Sequence, residues 1–343
     1  MKPSQTTQLL AELIRTKSPG LLVGAPGVGK TSLIEQAAKA AGATLLVSHP
    51  AVADPTDFKG LPWVAKNAKS AVFLPFGEFD LALNAKELLV WLLDDLGQAS
   101  PAVQAACMQL LLARRVNDHV LPDCVTFLAA TNRRIDRANV SGILEPVKSR
   151  FTTIVEVTAD KDDFTNWAMD NGLPDILIAF IRFREDLLCK FEPSADLTNS
   201  PVPRTWANVG RIMEMELDDA VRHEAIVGAV GEGAAVEFGG FLKMFRELPN
   251  IDAIMIDPTS GKIPTAPAAL YAIVTALGMR GNADNFDRLA IYAQRLMDDL
   301  KGDFAALLVR DCMRKDEEIV NTKGFVRLAA GPLGDLIQGQ VRR

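Results

Sequence analysis

The sequence predicts an α/β domain built on a parallel sheet and continued by helices, on three observations. Leu21 to Val23 is a short apolar run that enters a glycine-rich turn, and an alanine-rich helical stretch from Ser32 to Ala41 follows, the strand–loop–helix opening of an α/β unit. Four more short apolar runs stand at Thr44 to Ser48, Leu88 to Leu93, Val125 to Ala130 and Thr153 to Val157, continuous rather than alternating, as for parallel strands covered on both faces. After about residue 158 the strand signal stops and helical spacing takes over. The expected organisation is an α/β nucleotide-binding domain over 1–158, an α-helical lid over 159–246 and a helical C-terminal extension over 247–343.

Each element has a local reason. Leu9, Leu10, Leu13 and Ile14 fall at helical spacing before Ser18-Pro19-Gly20 breaks the helix. Pro101 to Ala113 reads as an amphipathic helix, and the residues around it end in a small hairpin turning at Asn117-Asp118. Helical patterns then cover Asp162 to Asn171, Asp175 to Leu188, Trp206 to Glu216 and Glu224 to Arg246. A proline- and glycine-punctuated stretch from Ile251 to Pro267 precedes helices over Ala268 to Met279, Asn285 to Leu300 and Phe304 to Lys315. There is no internal repeat or low-complexity tract.

The 343 residues carry 37 basic and 43 acidic side chains, a formal charge of −6, with 48% hydrophobic residues. That composition excludes disorder and collagen-like or rod-like architectures. Residues 1–150 hold 16 basic and 13 acidic side chains, and the remainder 21 and 30, so the first part suits an anionic ligand while the total gives no support to sequence-independent DNA wrapping. Cys107, Cys124, Cys189 and Cys312 form no CxxC pair, which argues against a zinc knuckle or disulfide framework and for reduced, mostly buried thiols. The first twenty residues lack the apolar core and cleavage site of a signal peptide, and no apolar run approaches the roughly 20 residues that span a bilayer. The expected location is the cytoplasm, with no membrane partner.

Gly24-Ala25-Pro26-Gly27-Val28-Gly29-Lys30-Thr31, followed by Ser32, matches GxxxxGK[ST], the P-loop. Its glycines let backbone N–H groups converge on phosphate oxygens, and the following helix aims its positive end at them. Lys30 is expected to reach the β/γ phosphates of ATP, and the Thr31 hydroxyl to ligate Mg²⁺. A strand ending in Asp94-Asp95 delivers carboxylates where ligands of open α/β sheets sit. Asp94 is the natural second Mg²⁺ partner, through water, and Asp95 the candidate that polarises the attacking water. A strand-end turn or helix cap is the plainer reading of an isolated Asp-Asp pair.

With these motifs in order, the chain resembles an AAA+ ATPase, and within that superfamily the MoxR-type branch. Val125 to Ala130 with Thr131-Asn132 resembles the sensor 1 strand, which implies that Asn132 lies beside the γ-phosphate. The segment Gly142 to Phe151 resembles the one bearing an arginine finger, which makes Arg150 the candidate that enters a neighbouring subunit's site; Arg133 and Arg134 are its rivals, with salt bridging as their plainer role. Ser200 to Trp206 resembles the sensor 2 approach to the lid, with Arg204 reaching the same nucleotide. Asp54 to Pro62 resembles the stretch before the family's helix 2 insert, and the hairpin around Asn117 its presensor 1 insertion. The resemblance covers about residues 18–245. It implies a homo-oligomeric ring, most often of six subunits, that remodels or activates a protein client, commonly with a partner carrying a von Willebrand A-type domain. The family usually ends its second motif in Asp-Glu; Asp95 is one methylene shorter, which points to slow hydrolysis.

Two other functions stay open on the sequence: a nucleotide-dependent oligomeric binding module in which turnover is slow, and a DNA-acting motor or loader, which the acidic total disfavours. His49, His119 and His223 lack the spacing of a metal site or triad. Trp63, Phe73, Phe76 and Phe79 read either as exposed contacts for a partner or as buried against the domain, the three phenylalanines having helical spacing.

Overall fold

The computed structural model describes residues 1–64, 71–136, 142–194 and 197–341. Strands are β1 (Gly20–Val23), β2 (Thr44–Ser48), β3 (Leu61–Val64), β4 (Ala71–Leu74), β5 (Leu89–Leu93), β6 (Arg115–Val116), β7 (His119–Val120), β8 (Val125–Thr131) and β9 (Thr153–Glu156). Helices of the first half are α1 (Pro3–Arg15), α2 (Lys30–Ala41), α3 (Pro55–Lys59), α4 (Gly77–Leu83), α5 (Pro101–Ala113) and α6 (Glu145–Lys148). Those of the second half are α7 (Lys161–Asp170), α8 (Asp175–Phe183), α9 (Pro203–Met213), α10 (Asp219–Val230), α11 (Glu232–Arg246), α12 (Ile251–Ile256), α13 (Pro267–Gly278), α14 (Phe286–Asp298), α15 (Gly302–Lys315), α16 (Lys323–Ala329) and α17 (Pro332–Val341).

The chain forms two compact units. One holds Met1–Asp163 with Phe191–Leu197 and Val202–Arg204; the other holds Phe164–Lys190, Thr198–Pro201 and Thr205–Arg343. Helices of the expected lid and of the expected extension share the second unit, and the last two residues of that extension, 342 and 343, lie outside the described residues.

In the first unit β2, β5, β8, β1 and β9 form a five-stranded sheet in that order, every pairing parallel. Successive side chains of a strand point to opposite faces, so an uninterrupted apolar run requires cover on both. On one face Leu22, Val90, Leu92, Leu128 and Ala130 pack with Leu10 and Ile14 of α1 and Leu33 and Ile34 of α2. On the other, Leu21, Trp91, Leu93 and Phe127 pack with Phe58, Phe79 and the α5 residues Val103, Cys107 and Leu110. Trp91 is fully buried, stacks with Phe58, Phe79 and Phe127, and donates its indole N–H to Ser48 Oγ at 2.8 Å. The expected hairpin is present as β6 and β7, with Asn117 at φ 52° in its turn.

Several local details are settled or revised. Phe73, Phe76 and Phe79 do not share a helix: Pro75 disfavours helical backbone at Leu74, so Phe73 stays in β4, Phe76 is extended, and only Phe79 enters α4, where it is fully buried. β3 and β4 form an antiparallel ribbon whose residues are all exposed, Trp63 at 65%. The helix expected from Glu224 to Arg246 is two helices, because Gly231 sits at φ 81°, where a Cβ would lie 2.9 Å from the Asn199 carbonyl oxygen. Within the punctuated stretch after Asn250, that residue's side chain accepts from the N–H groups of Asp252 and Ala253 and starts the short α12.

In the second unit α13 is buried along most of its length, packed chiefly against α8 and α15, in an apolar cluster that continues into α14, α16 and α17. Arg182 of α8 bonds bidentately with Asp311 of α15, with Nη2 to Oδ1 at 2.8 Å, and donates to Thr275 Oγ1 of α13 at 2.9 Å. Gly278 permits this approach, since a Cβ there would stand 2.6 Å from that of Asp311. Among the described residues the four cysteines are unbridged, with Cys107 and Cys312 buried, and no helix is long and apolar enough to cross a membrane.

Candidate nucleotide-binding site

The site is assembled at the C-terminal ends of β1, β5 and β8. β1 ends at Val23, and the loop that follows is fixed by backbone constraints that only glycine meets. Gly27 stands at φ 75°, where a Cβ would lie 2.6 Å from Val202 Cγ2, and Gly29 at φ 103° begins α2. No side chain caps α2, so its first N–H groups face the loop, the arrangement that receives an anion. Within the loop Ala25 and Val28 are buried, Pro26 is half-buried, and Ser32 in the first turn of α2 is exposed. Gly24 donates its N–H to the Thr131 carbonyl at 3.3 Å, so the loop springs directly from the β1–β8 pairing.

Lys30 is 8% exposed, and all three ammonium protons have acceptors: the carbonyls of Gly24 at 3.0 Å and Ala25 at 3.1 Å, and Asn132 Oδ1 at 2.7 Å. Burial lowers its pKa to about 8, against the opposing pull of Asp95 and Asp94. The Thr31 hydroxyl donates to Asp94 Oδ2 at 2.9 Å. Asp94 Oδ1 accepts the Asp95 N–H at 3.1 Å, and Asn132 Nδ2 donates to Asp95 Oδ1 at 3.4 Å. Asp95 itself adopts left-handed backbone, φ 55° and ψ 35°, a conformation that aspartate tolerates better than most side chains. Burial, and then the neighbouring Asp94, raise the Asp95 carboxyl above its ordinary value.

Lys30, Thr31, Asp94, Asp95 and Asn132 therefore form one hydrogen-bonded cluster. The Thr31 hydroxyl and the Asp94 carboxylate are hard oxygen donors beside the loop, and among the described residues Asp94 makes no ion pair, so the pair suits Mg²⁺ held jointly with a ligand's phosphates. No larger group of potential metal ligands occurs among the described residues. The loop, for its part, ends in a buried cation whose hydrogen-bond acceptors are all neutral, and phosphate oxygens can replace them.

Arg204 is attached to the same loop through its backbone, its N–H donating to the Gly27 carbonyl at 3.1 Å. Its side chain is exposed, and its charge helps to depress the Lys30 pKa and opposes the rise at Asp95. Arg150 does not join the cluster. Its Nη1 donates to the Pro146 carbonyl at 2.6 Å and to Ser149 Oγ at 2.9 Å, within its own segment. His49 and His223 take no part in a metal group among the described residues, and His119 Nε2 lies 2.8 Å from the Phe73 carbonyl oxygen.

One residue acquires a role to which nothing in the sequence pointed. Gln104, 1% exposed, donates to the carbonyls of Ala99 and Gly142 and accepts the Leu144 N–H, which fixes the approach to α6 and Arg150. Its partners lie up to 40 positions away, so no local signal marked it. Arg133, a rival for the finger on sequence, takes its plainer salt-bridging role with Asp136 and Glu156, whereas Arg134 is exposed.

No curated protein matches the chain. Among solved structures, the RuvB Holliday junction branch migration motor of Thermotoga maritima is 16% identical, with 80% of each chain covered and a TM-score of 0.39. NtrX of Brucella abortus is 12% identical over 80% of this chain and 60% of its own, with a TM-score of 0.35. Residues 19–151 match the AAA domain of the dynein-related subfamily, and the P-loop and four of the five parallel strands that lie in that stretch have the AAA+ P-loop fold.

Proposed function

We propose that this protein is an ATP-hydrolysing AAA+ ATPase of MoxR type that assembles into a homo-oligomeric ring, six subunits by resemblance, and remodels or activates a partner protein. The observation that carries the reading is the cluster joining Lys30, Asn132, Thr31, Asp94 and Asp95 around the loop. ATP phosphates would lie against the backbone from Gly24 to Ser32, with Lys30 exchanging carbonyl partners for phosphate oxygens. Mg²⁺, held by Thr31 and Asp94, would offset charge on the β and γ phosphates. Asp95 accepts a proton from, and orients, the attacking water, while Asn132 holds that carboxylate and faces the transferred group. Arg204 approaches the nucleotide from its anchor on Gly27. Arg150 acts in a neighbouring subunit, a role supported by its lack of any bond to its own cluster. The exposed apolar ribbon of β3 and β4, with Trp63 outward, supports a protein client or a von Willebrand A-type partner over nucleic acid.

Steady-state ATP hydrolysis measured across protein concentration tests the reading. Turnover should rise with assembly and fall by about 10³-fold or more in Arg150→Ala, the usual weight of an arginine finger. Full turnover of Arg150→Ala in an intact oligomer would remove the trans assignment.

A second reading is a nucleotide-locked oligomer that recruits a partner while hydrolysis serves only as a timer. The short Asp95 carboxylate and its long 3.4 Å contact with Asn132 favour it. Nucleotide-dependent assembly with negligible phosphate release would select it.

A further inference from the structure

We infer that Arg133 is a positioning residue, which holds Asn132 in place by strapping the ends of β8 and β9 together across β1. The inference rests on the hydrolytic reading for its kinetic consequence, but its geometry stands apart from it. In the sheet Val23 of β1 lies level with Thr131 of β8 on one side and Glu156 of β9 on the other. Val23 is also the last strand residue before the P-loop, and Thr131 the last before Asn132.

Arg133 donates Nε to Asp136 Oδ2 at 3.0 Å and Nη2 to Asp136 Oδ1 at 2.8 Å, then reaches with Nη1 to Glu156 Oε1 at 3.2 Å. The guanidinium thus spans three adjacent strands at the level where the loop departs. Asp136 is 4% exposed, and a buried carboxylate needs its cation, so the turn from Arg133 to Asp136 cannot swing away cheaply. Asp136 also returns its N–H to the Arg133 carbonyl at 3.2 Å, which closes the turn.

Asn132 lies between the end of β8 and this closed turn. Its side chain has two opposed tasks, accepting from Lys30 and donating to Asp95, and both need the amide plane fixed. A rigid neighbour on each side supplies that. Only a planar guanidinium can bind one carboxylate with two parallel bonds and still direct a third N–H to another; a lysine ammonium in the same place is a point charge.

The test is a double-mutant cycle on turnover. Misplacing a catalytic group by about an ångström costs on the order of 10²-fold, so Arg133→Ala should lower kcat by about 10- to 100-fold. KM and the affinity for Mg·ADP should change by less than about 3-fold, since the cradle is loop backbone. In an Asn132→Ala background the same substitution should cost almost nothing further. Arg133→Lys should recover part of the loss. Glu156→Gln, at an exposed position whose change leaves the fold intact, should lower kcat by about 2- to 5-fold, as for one weakened hydrogen bond.

Wild-type kcat in Arg133→Ala, or an undiminished loss on top of Asn132→Ala, overturns the inference. Should Arg133→Ala fail to fold, Glu156→Gln carries the same cycle. In nucleotide-free protein, backbone hydrogen exchange of the peptide containing Asn132 should quicken in Glu156→Gln and Arg133→Ala while that of β5 does not, and unchanged exchange also overturns it. Absence of turnover in the wild type would sink the hydrolytic reading instead, and the exchange measurement would then decide the role of Arg133.

Discussion

Each of the two compact units buries a cation, and the two are held in opposite ways. Lys30 of the α/β unit is 8% exposed and rests on two carbonyls and an asparagine; Arg182 of the helical unit is 6% exposed and rests on the Asp311 carboxylate, with Thr275 in support. Neutral acceptors leave the Lys30 ammonium with no directly bonded anion, Asp94 and Asp95 acting on it only through space, and a phosphate can claim it. A carboxylate cancels the Arg182 charge and fixes three helices to one another. The first cation is arranged for a ligand and the second for the fold, a difference that the partner's charge decides, not burial.

The largest expected effect lies in the helical unit. Asp311→Ala would strand a buried guanidinium and should lower the unfolding free energy by about 3–5 kcal/mol, read by urea denaturation. The apolar pair Arg182→Met with Asp311→Leu should recover most of it. Equal losses in both variants would mean that packing, not charge compensation, holds this junction.

Lys30→Met should do the reverse. Removing a buried charge that is hydrogen-bonded only to neutral groups, with Asp94 and Asp95 acting on it through space, should change thermal stability little, while ATP turnover falls by about 10³-fold. A stability loss as large as that of Asp311→Ala would break the contrast.

The lowered pKa of Lys30 sharpens it further. The folded protein binds this proton less tightly than the unfolded chain, whose lysine stays near 10.5, so the burial penalty is present at neutral pH and fades as pH rises through about 8. Stability should gain there from this group. Nucleotide affinity should move the opposite way, weakening by at most about tenfold per pH unit above pH 8 as the free site loses its cation. Titration calorimetry across pH 7 to 10 measures this, and Lys30→Arg, which stays charged, should flatten the profile.

The smallest effect concerns Asp95. Its left-handed backbone disfavours a longer side chain, so Asp95→Glu should destabilise by less than about 1 kcal/mol. It should raise turnover, since the short Asp95 carboxylate is the feature that points to slow hydrolysis. Unchanged hydrolysis in that variant would show that backbone, and not side-chain length, limits Asp95.

Local chemistry was legible before the structure. The loop from Gly24 to Thr31 carries its own glycine conformations, and the sheet strands could be read because a strand covered on both faces has no polar positions to interrupt it. β3 and β4 escaped because an exposed apolar ribbon looks like neither a buried strand nor an amphipathic one, and Pro62 weakens the pattern further. The break at Gly231 escaped because the Asn199 carbonyl that forbids a side chain there is brought up by the fold.

By itself the sequence determined which residues could hold phosphate, because a P-loop is a contiguous backbone device whose geometry is written in adjacent glycines. Tertiary structure alone decided what those residues meet. Lys30 finds Asn132 across 102 positions, Thr31 finds Asp94 across 63, and Arg182 finds Asp311 across 129. Among arginines alike on paper, it binds Arg133 to Asp136 and Glu156 and folds Arg150 back onto the end of α6. A side chain's charge is fixed by its chemistry, but whether that charge is spent on a neighbour depends on which distant strand or helix the fold brings within 3 Å.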